Sequence, residues 1–477
     1  MNMDVHPFWL AGRPEMGGSE ISVTNPHDGR VVGNAAVPTA EQVERAVAAA
    51  HAVRREAAAL PVHVRADALA HVARRLAERA DEVARLICAE NGKPIMWARG
   101  EVGRAISTFR FAAEETRRFS GLVQRLDTEA AATGRLAYVS REPYGPVLAI
   151  TPFNFPLNLV AHKVAPAIAV GAPVVVKPAP ATPLSALLIG EILAETDLPE
   201  GMFSILPVPN DRARALVEDP RLPVVSFTGS GPVGFAIMDQ VPRKHVTLEL
   251  GGNAAAIVLA DADLDFAAAR IALFSNYQAG QSCIAVQRVI VEDRVYDDFV
   301  GRLVPAVEAL VTGDPTDEKT QVGPLINEDA AKRVEAWVGE AVAAGARILT
   351  GGGRDGAVMA PTVLDGVSDD AKVCREEVFG PVLVLSRVAS ADEALAAAND
   401  SVYGLQAGIF TSDLRMAFRA AKELEVGGVV IGDVPTYRAD QMPYGGVKQS
   451  GVGREGLRSA MADFTYEKTM VLTGLTL

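Results

Sequence analysis

The sequence predicts an α/β protein with a parallel, doubly wound sheet, and three observations carry that expectation. Between 145 and 260, apolar runs at 147–150, 174–176, 203–206, 224–227 and 246–250 alternate with amphipathic helical stretches. After Gly252 the alternation starts again, with runs at 256–259, 289–291, 347–349, 383–385, 408–410 and 429–431. Strands joined by crossover helices pair in parallel and open ligand sites at their C-terminal ends. The 477 residues of the chain exceed one small core and suit about two to three domains. A boundary near 251 brings both strand series to one cleft.

The elements follow in order. Residues 8–37 read as short β pieces punctuated by the turn pairs Asn25-Pro26 and Asp28-Gly29. Thr39 and Gln42 form a capping-box pattern ahead of an Ala-rich helix that runs to about Leu60. A second helix is predicted over 62–90, stopped by Asn91-Gly92 and Pro94, and a third over 96–119. Their Ala-rich faces suggest scaffold, not site. Residues 135–142 and 464–472 alternate side-chain type as exposed strands do, and could pair with each other or with another subunit.

Composition excludes several classes. Hydrophobic residues make up 49% and charged residues 22%, the balance of a soluble enzyme. A net charge of −13 without any block of like charge argues against nucleic acid and anionic membranes as partners. The pairs Arg54-Arg55, Arg74-Arg75 and Arg117-Arg118 sit in helix-like stretches and read as solvated faces. The apolar region 146–176 is broken by Asn154, Asn158, His162, Lys163 and prolines, so it is no membrane span. Three cysteines (Cys88, Cys283 and Cys374) give no disulfide framework, which fits a reducing cytoplasm. Cys374 reads as structural. Seven histidines are scattered without metal-ligand spacing, so no metal is predicted.

Chemistry concentrates at Gly280-Gln281-Ser282-Cys283 and Glu249-Leu250-Gly251-Gly252-Asn253. A cysteine with a carboxylate suggests a nucleophile and a general base, because thiolate attack makes a thioester that activated water must open. At these residues the chain resembles the aldehyde dehydrogenase superfamily, in its NAD(P)-dependent, hydrolytic, non-acylating form. Further motifs in the same order extend the resemblance over essentially the whole chain. Gly229-Ser230-Gly231-Pro232-Val233-Gly234 follows a strand and matches a dinucleotide fingerprint. The resemblance instead reads Phe227-Thr228-Gly229-Ser230 with Gly234 as a helix start beside the pyrophosphate, and keeps Glu249 as the base. A helix start that needs glycine only for packing is the structural alternative.

Asn154, in Thr151-Pro152-Phe153-Asn154-Phe155-Pro156, is a poor core residue and either faces a cleft or caps a turn. The resemblance implies that its amide donates to the oxyanion together with the backbone N–H of Cys283, a donor whose loss typically costs about 100- to 1,000-fold in rate. It also implies cofactor contacts at Thr151 and Phe153, and a place near the active site for Lys163, whose rival reading is a surface lysine. Lys177 matches a lysine that contacts the adenosine ribose or its 2′-phosphate. Pro180 stands where many NAD-preferring members carry Glu, so the choice between NAD and NADP stays open. Glu377 would bind the nicotinamide ribose and Phe379 would pack near the ring. The glycine-rich stretch 443–455 would shape the cleft wall. Gly432 lies near a position where the family usually has an asparagine, which leaves local support of the site in question.

Phe155, Ser282, Ile284 and Arg438 would line the substrate funnel. A cation there favours an anionic or strongly polar tail, as in a semialdehyde or a lactaldehyde-like substrate; the alternative is that Arg438 faces solvent or a subunit interface. The expected domains are 1–122 with 144–251 for the cofactor, 252–445 for catalysis, and 123–143 with 446–477 as a bridging β flap in a homodimer or homotetramer. The expected reaction is oxidation of an aldehyde to the acid through a thiohemiacetal and a thioester. A coenzyme A-acylating enzyme of the same fold, or a catalytically silent member, is the alternative.

Overall fold

The computed structural model describes residues 5–476. Its first layer is an eight-stranded sheet in the order Gly451–Val452, His245–Glu249, Val224–Thr228, Val147–Ile150, Val174–Lys177, Phe203–Ile205, Phe8–Leu10 and Arg13–Glu15. The five inner strands, from His245–Glu249 to Phe203–Ile205, run parallel. Every residue of Val147–Ile150 and Val174–Lys177 is buried, because helices cover both faces. That is why these strands read as unbroken apolar runs rather than alternating ones.

A seven-stranded sheet forms the second layer, ordered Arg347–Thr350, Thr362–Asp365, Val382–Val388, Val286–Glu292, Ala254–Val258, Gln406–Phe410 and Gly428–Ile431. Only its edge strand Arg347–Thr350 is antiparallel. The strand Thr362–Asp365, absent from the sequence reading, is four residues between Pro361 and Gly366, too short to stand out from its turns. A separate three-stranded sheet joins Thr465–Leu472, Leu136–Pro143 and Leu122–Arg125.

The helices differ from expectation at two places. The capping box is present: Gln42 N donates to Thr39 Oγ1 at 3.2 Å and Thr39 N to Gln42 Oε1 at 2.9 Å. The helix read over 62–90 is two, Val62–Glu78 and Ala80–Asn91, broken at Arg79, whose guanidinium pairs with Glu82 and Glu191. The flap is also smaller than 446–477. Gly451–Val452 pairs with His245–Glu249, and the helix Leu457–Asp463 buries Leu457, Ala460 and Met461 against Ile95–Thr116 and Asn158–Val170. An apolar helix face outcompetes continuation of the β flap there. Among the described residues no helix is long and apolar enough to cross a membrane.

Candidate active site

Strand His245–Glu249 ends in Glu249, and Cys283 lies just before strand Val286–Glu292 of the other sheet. Both line one cavity of about 400 Å³. Glycines make this approach possible. A Cβ at Gly252 would sit 2.3 Å from the Cys283 carbonyl oxygen, and one at Gly251 would sit 2.3 Å from Glu377 Oε2. Only glycine lets the backbone pass so close.

The turn that presents Cys283 is strained. Gln278, Ala279 and Gly280 have φ of 54°, 52° and 71°, all left-handed. For the two non-glycine residues such backbone costs of order 1–3 kcal/mol each. The surroundings hold it in place: Gln278 Nε2 donates to Asn91 Oδ1, and Ile326 N donates to Gln281 Oε1 at 2.8 Å. Asn154 joins from the opposite wall, its Nδ2 donating to the Gln281 carbonyl at 2.9 Å while Oδ1 has no protein partner. One amide hydrogen remains for another acceptor.

The charges are arranged unevenly. Glu249 is 3% exposed and, among the described residues, neither of its carboxylate oxygens has a hydrogen-bond partner. Burial, then the neighbouring charge of Glu455, pushes its pKa well above the usual carboxylate range. Glu455 is buried as well, yet Lys163 at 2.9 Å and Arg438 at 3.0 Å outweigh its desolvation and hold it down at about 2. Burial drives the Cys283 thiol up to about 12, opposed by a hydrogen bond with the Tyr444 hydroxyl. Glu377 accepts from Gly252 N at 3.1 Å and is raised by burial to about 7.

The other predicted residues are placed as follows. Phe153, Phe155, Ser282 and Ile284 line the cavity, and Phe379, left-handed at φ 49°, stands edge-on to Phe153 at 5.9 Å. Arg438 also lines it, with its side chain buried and its guanidinium 3.7 Å from the Tyr444 ring centre, so the solvent-facing reading does not hold. Lys163 is not a surface lysine: it is buried between Ser226 and Glu455, behind the cavity wall. Gly432 has φ 76°, and the next residue, Asp433, pairs with Arg270 at 2.7 Å, so local support comes from an ion pair.

Through Phe153, Gly229 and Ser230 the cavity continues into a groove of about 590 Å³, which Thr151, Lys177 and Pro180 also line. Helix Gly231–Gln240 starts there, offering N–H groups and a positive dipole end. Lys177 and Arg214 face the groove and, among the described residues, no carboxylate does, a lining that suits an anionic dinucleotide. Burial lowers Lys177 to about 8. Gly234 lines neither space. A Cβ there would meet Leu250 Cδ2 at 2.4 Å, so its place is in helix–strand packing.

Several residues escaped the sequence reading. Arg104, on the supposed scaffold helix Ile95–Thr116, lines the cavity and pairs with buried Asp440 at 2.9 Å. Lys93 and Glu101, both fully buried, form an ion pair beneath Asn154. Lys93 Nζ donates to the Asn154 carbonyl at 2.9 Å, and Glu101 Oε1 accepts from Leu157 N and Asn158 N at 2.9 and 3.1 Å. The mid-helix acid Glu101 carried no local signal, since its partners come from a different segment.

Two α/β layers that place a thiol next to a nucleotide-shaped groove define a class, the nicotinamide-dependent oxidoreductases that work on aldehydes. The model of the Aldehyde dehydrogenase family matches residues 13–470, and the chain belongs to that family as an NAD(P)-dependent aldehyde dehydrogenase. It is 43% identical over 468 residues to 3-sulfolactaldehyde dehydrogenase of Priestia aryabhattai, covering 98% of this chain and 97% of that one. Aldehyde dehydrogenase 21 of Physcomitrella patens, solved with its reaction product succinate, superposes with a TM-score of 0.97 at 45% identity, over 99% of both chains. Glyceraldehyde-3-phosphate dehydrogenase of Methanocaldococcus jannaschii, solved with NADP, gives 0.91 at 37% identity, over 96% of this chain and all (100%) of that one.

Proposed function

We propose that this enzyme oxidises a small aldehyde with an anionic tail to the carboxylic acid, using Cys283 as nucleophile and Glu249 as base. The observation that carries the tail is Arg104 and Arg438, two of the three arginines (with Arg333) in the wall of the cavity that holds the thiol. Asp440 and Glu455 already anchor these side chains, so each guanidinium is oriented before substrate arrives.

The Cys283 thiol gives its proton to the Glu249 carboxylate, directly or through water. The thiolate then forms a C–S bond to the aldehyde carbon, and the carbonyl electron pair moves onto oxygen. The free hydrogen of Asn154 Nδ2 and the backbone N–H of Cys283 donate to that oxyanion. A nicotinamide held in the groove would supply the acceptor for a hydride from the adduct, and Cys283 would then carry a thioester. Gly229 and Ser230 would hold its pyrophosphate, Lys177 its adenosine ribose or 2′-phosphate, and Glu377 its nicotinamide ribose. Glu249, having passed the thiol's proton on to solvent, takes a proton from water as that water attacks the thioester; the thiolate departs with the C–S bonding pair and the acid is released. The presence of the Glu249 carboxylate in the cavity that holds the thiol supports hydrolysis over transfer to coenzyme A. The groove's lack of a carboxylate admits NADP as well as NAD. The flap exposes Val123, Met470 and Val471, which supports a homodimer or homotetramer. Three unpaired cysteines support a cytoplasmic setting.

The test is reduced-nicotinamide absorbance with each coenzyme and a panel of succinic semialdehyde, 3-sulfolactaldehyde, lactaldehyde and hexanal. A charge-assisted contact should favour the anionic aldehydes by about tenfold to a hundredfold in kcat/KM. Arg438→Gln and Arg104→Gln should erase that preference. Hexanal turned over as well as the anionic substrates would refute the assignment of the tail.

A further inference from the structure

Among the described residues the Cys283 thiol has one hydrogen-bond partner, the Tyr444 hydroxyl at 3.1 Å. Tyr444 is buried, and its ring packs with Ile284 and Leu405. Its backbone is clamped to Glu455: Tyr444 N donates to the Glu455 carbonyl at 3.0 Å and Glu455 N donates back at 2.7 Å. The hydroxyl is therefore held at the sulfur by the same segment that carries the Lys163–Glu455–Arg438 cluster. The Arg438 guanidinium lies 3.7 Å from the ring centre. A cation over a phenol face draws on the ring's electrons and makes its O–H a stronger donor.

Resting on the reading of Cys283 as the nucleophile, we infer that Tyr444 is a further catalytic residue, whose hydroxyl donates a hydrogen bond to the Cys283 thiolate and stabilises it before attack. The direction follows from intrinsic acidity: a thiol ionises near pH 8.5 and a phenol near 10, so the thiol loses its proton first. Burial and the nearby carboxylates oppose that ionisation, and a donor at the sulfur counters them. Tyr444 keeps its own proton throughout. When the C–S bond forms, the sulfur loses its charge and becomes a weak acceptor, so the hydroxyl is released. When the thioester opens, the departing thiolate regains the donor. One residue thus stabilises sulfur as nucleophile and as leaving group, while Asn154 serves the oxygen.

The size of the effect can be bounded. A hydrogen bond to a charged group moves the thiol by about one pH unit, or roughly tenfold in thiolate population. Each thiolate becomes about threefold less nucleophilic in return, so the net gain at neutral pH is about threefold. The experiment is the alkylation rate of Cys283 by iodoacetamide at neutral pH in the full chain, read by peptide mass at that position. Tyr444→Phe should react about threefold more slowly. A ring-fluorinated tyrosine at 444, a more acidic phenol, should react faster than wild type. Opposite signs from two near-isosteric changes cannot come from loosened packing. Equal rates in Tyr444→Phe and wild type, or slowing by both changes, would overturn the inference. Aldehyde oxidation surviving in Cys283→Ala would overturn the nucleophile assignment itself, whereas an inactive Cys283→Ala alongside unchanged Tyr444 variants removes Tyr444 alone.

Discussion

Replacing Lys93 by Met strands the Glu101 carboxylate in the core. Both side chains are fully buried, and the ion pair also carries three backbone contacts, to Asn154, Leu157 and Asn158. Breaking one side of such a pair costs about 3–5 kcal/mol, because the surviving charge has neither water nor a partner. Glu101→Gln should cost a similar amount by stranding the ammonium, whose pKa burial already lowers. The double variant Lys93→Met with Glu101→Gln leaves no charge, and the Gln carbonyl still accepts from Leu157 and Asn158, so its loss should be only about 1–3 kcal/mol. The coupling energy from the cycle is then about 3 kcal/mol or more. Urea denaturation of the four proteins measures it through the shift in midpoint at constant slope. The same cycle should show kcat falling about tenfold or more in the single variants with little change in KM, as the Asn154 backbone loses its anchor. Additive single losses, with coupling under about 1 kcal/mol, would refute the claim that these residues act as a pair.

Glu249→Gln removes the acceptor for both the thiol proton and the proton of the attacking water, so the single-turnover burst should slow and steady-state kcat should fall at least about 100-fold. Burial raises Glu377 to about 7, so its carboxylate protonates as pH falls through that value and ceases to accept two hydroxyls. The coenzyme KM should therefore rise below about pH 7 in the wild type and be flat in Glu377→Gln. Gly280→Ala places a Cβ 2.0 Å from the Gly380 carbonyl oxygen at a φ of 71°. A loss of at least about 2 kcal/mol in urea denaturation is expected, with Cys283 displaced and oxidation lost.

Much of the fold was legible because burial on both sides of a parallel sheet writes itself as short apolar runs, and 147–150, 174–176 and 224–227 all fall inside strands. Glu249, Cys283, Asn154 and Glu377 were singled out by local motifs, and one cavity gathers all four. Periodicity, however, says which helix face is buried and not what a buried charge meets. Glu101 and Arg104 looked like ordinary members of a scaffold helix, yet their partners, Lys93 and Asp440, come from a turn and a distant loop. Arg438 posed the same difficulty: a loop residue's burial depends on the segments that fold over it, here the one carrying Tyr444 and Glu455. The break at Arg79 was hidden because an arginine leaves no local stop signal; its ion pairs with Glu82 and Glu191 are tertiary.

The pairing of Gly451–Val452 with the strand that carries Glu249 bears on how the enzyme is made. A ribosome reaches Cys283 well before Tyr444, Gly451–Val452 and Glu455. At about 5–20 residues per second the interval is roughly ten to thirty seconds. During it, strand His245–Glu249 is an open sheet edge, and the thiol lacks both its phenol and the Arg438–Glu455 ion pair behind it. A nascent or prematurely released chain would thus present an unpaired strand edge, a template on which another chain could pair and aggregate.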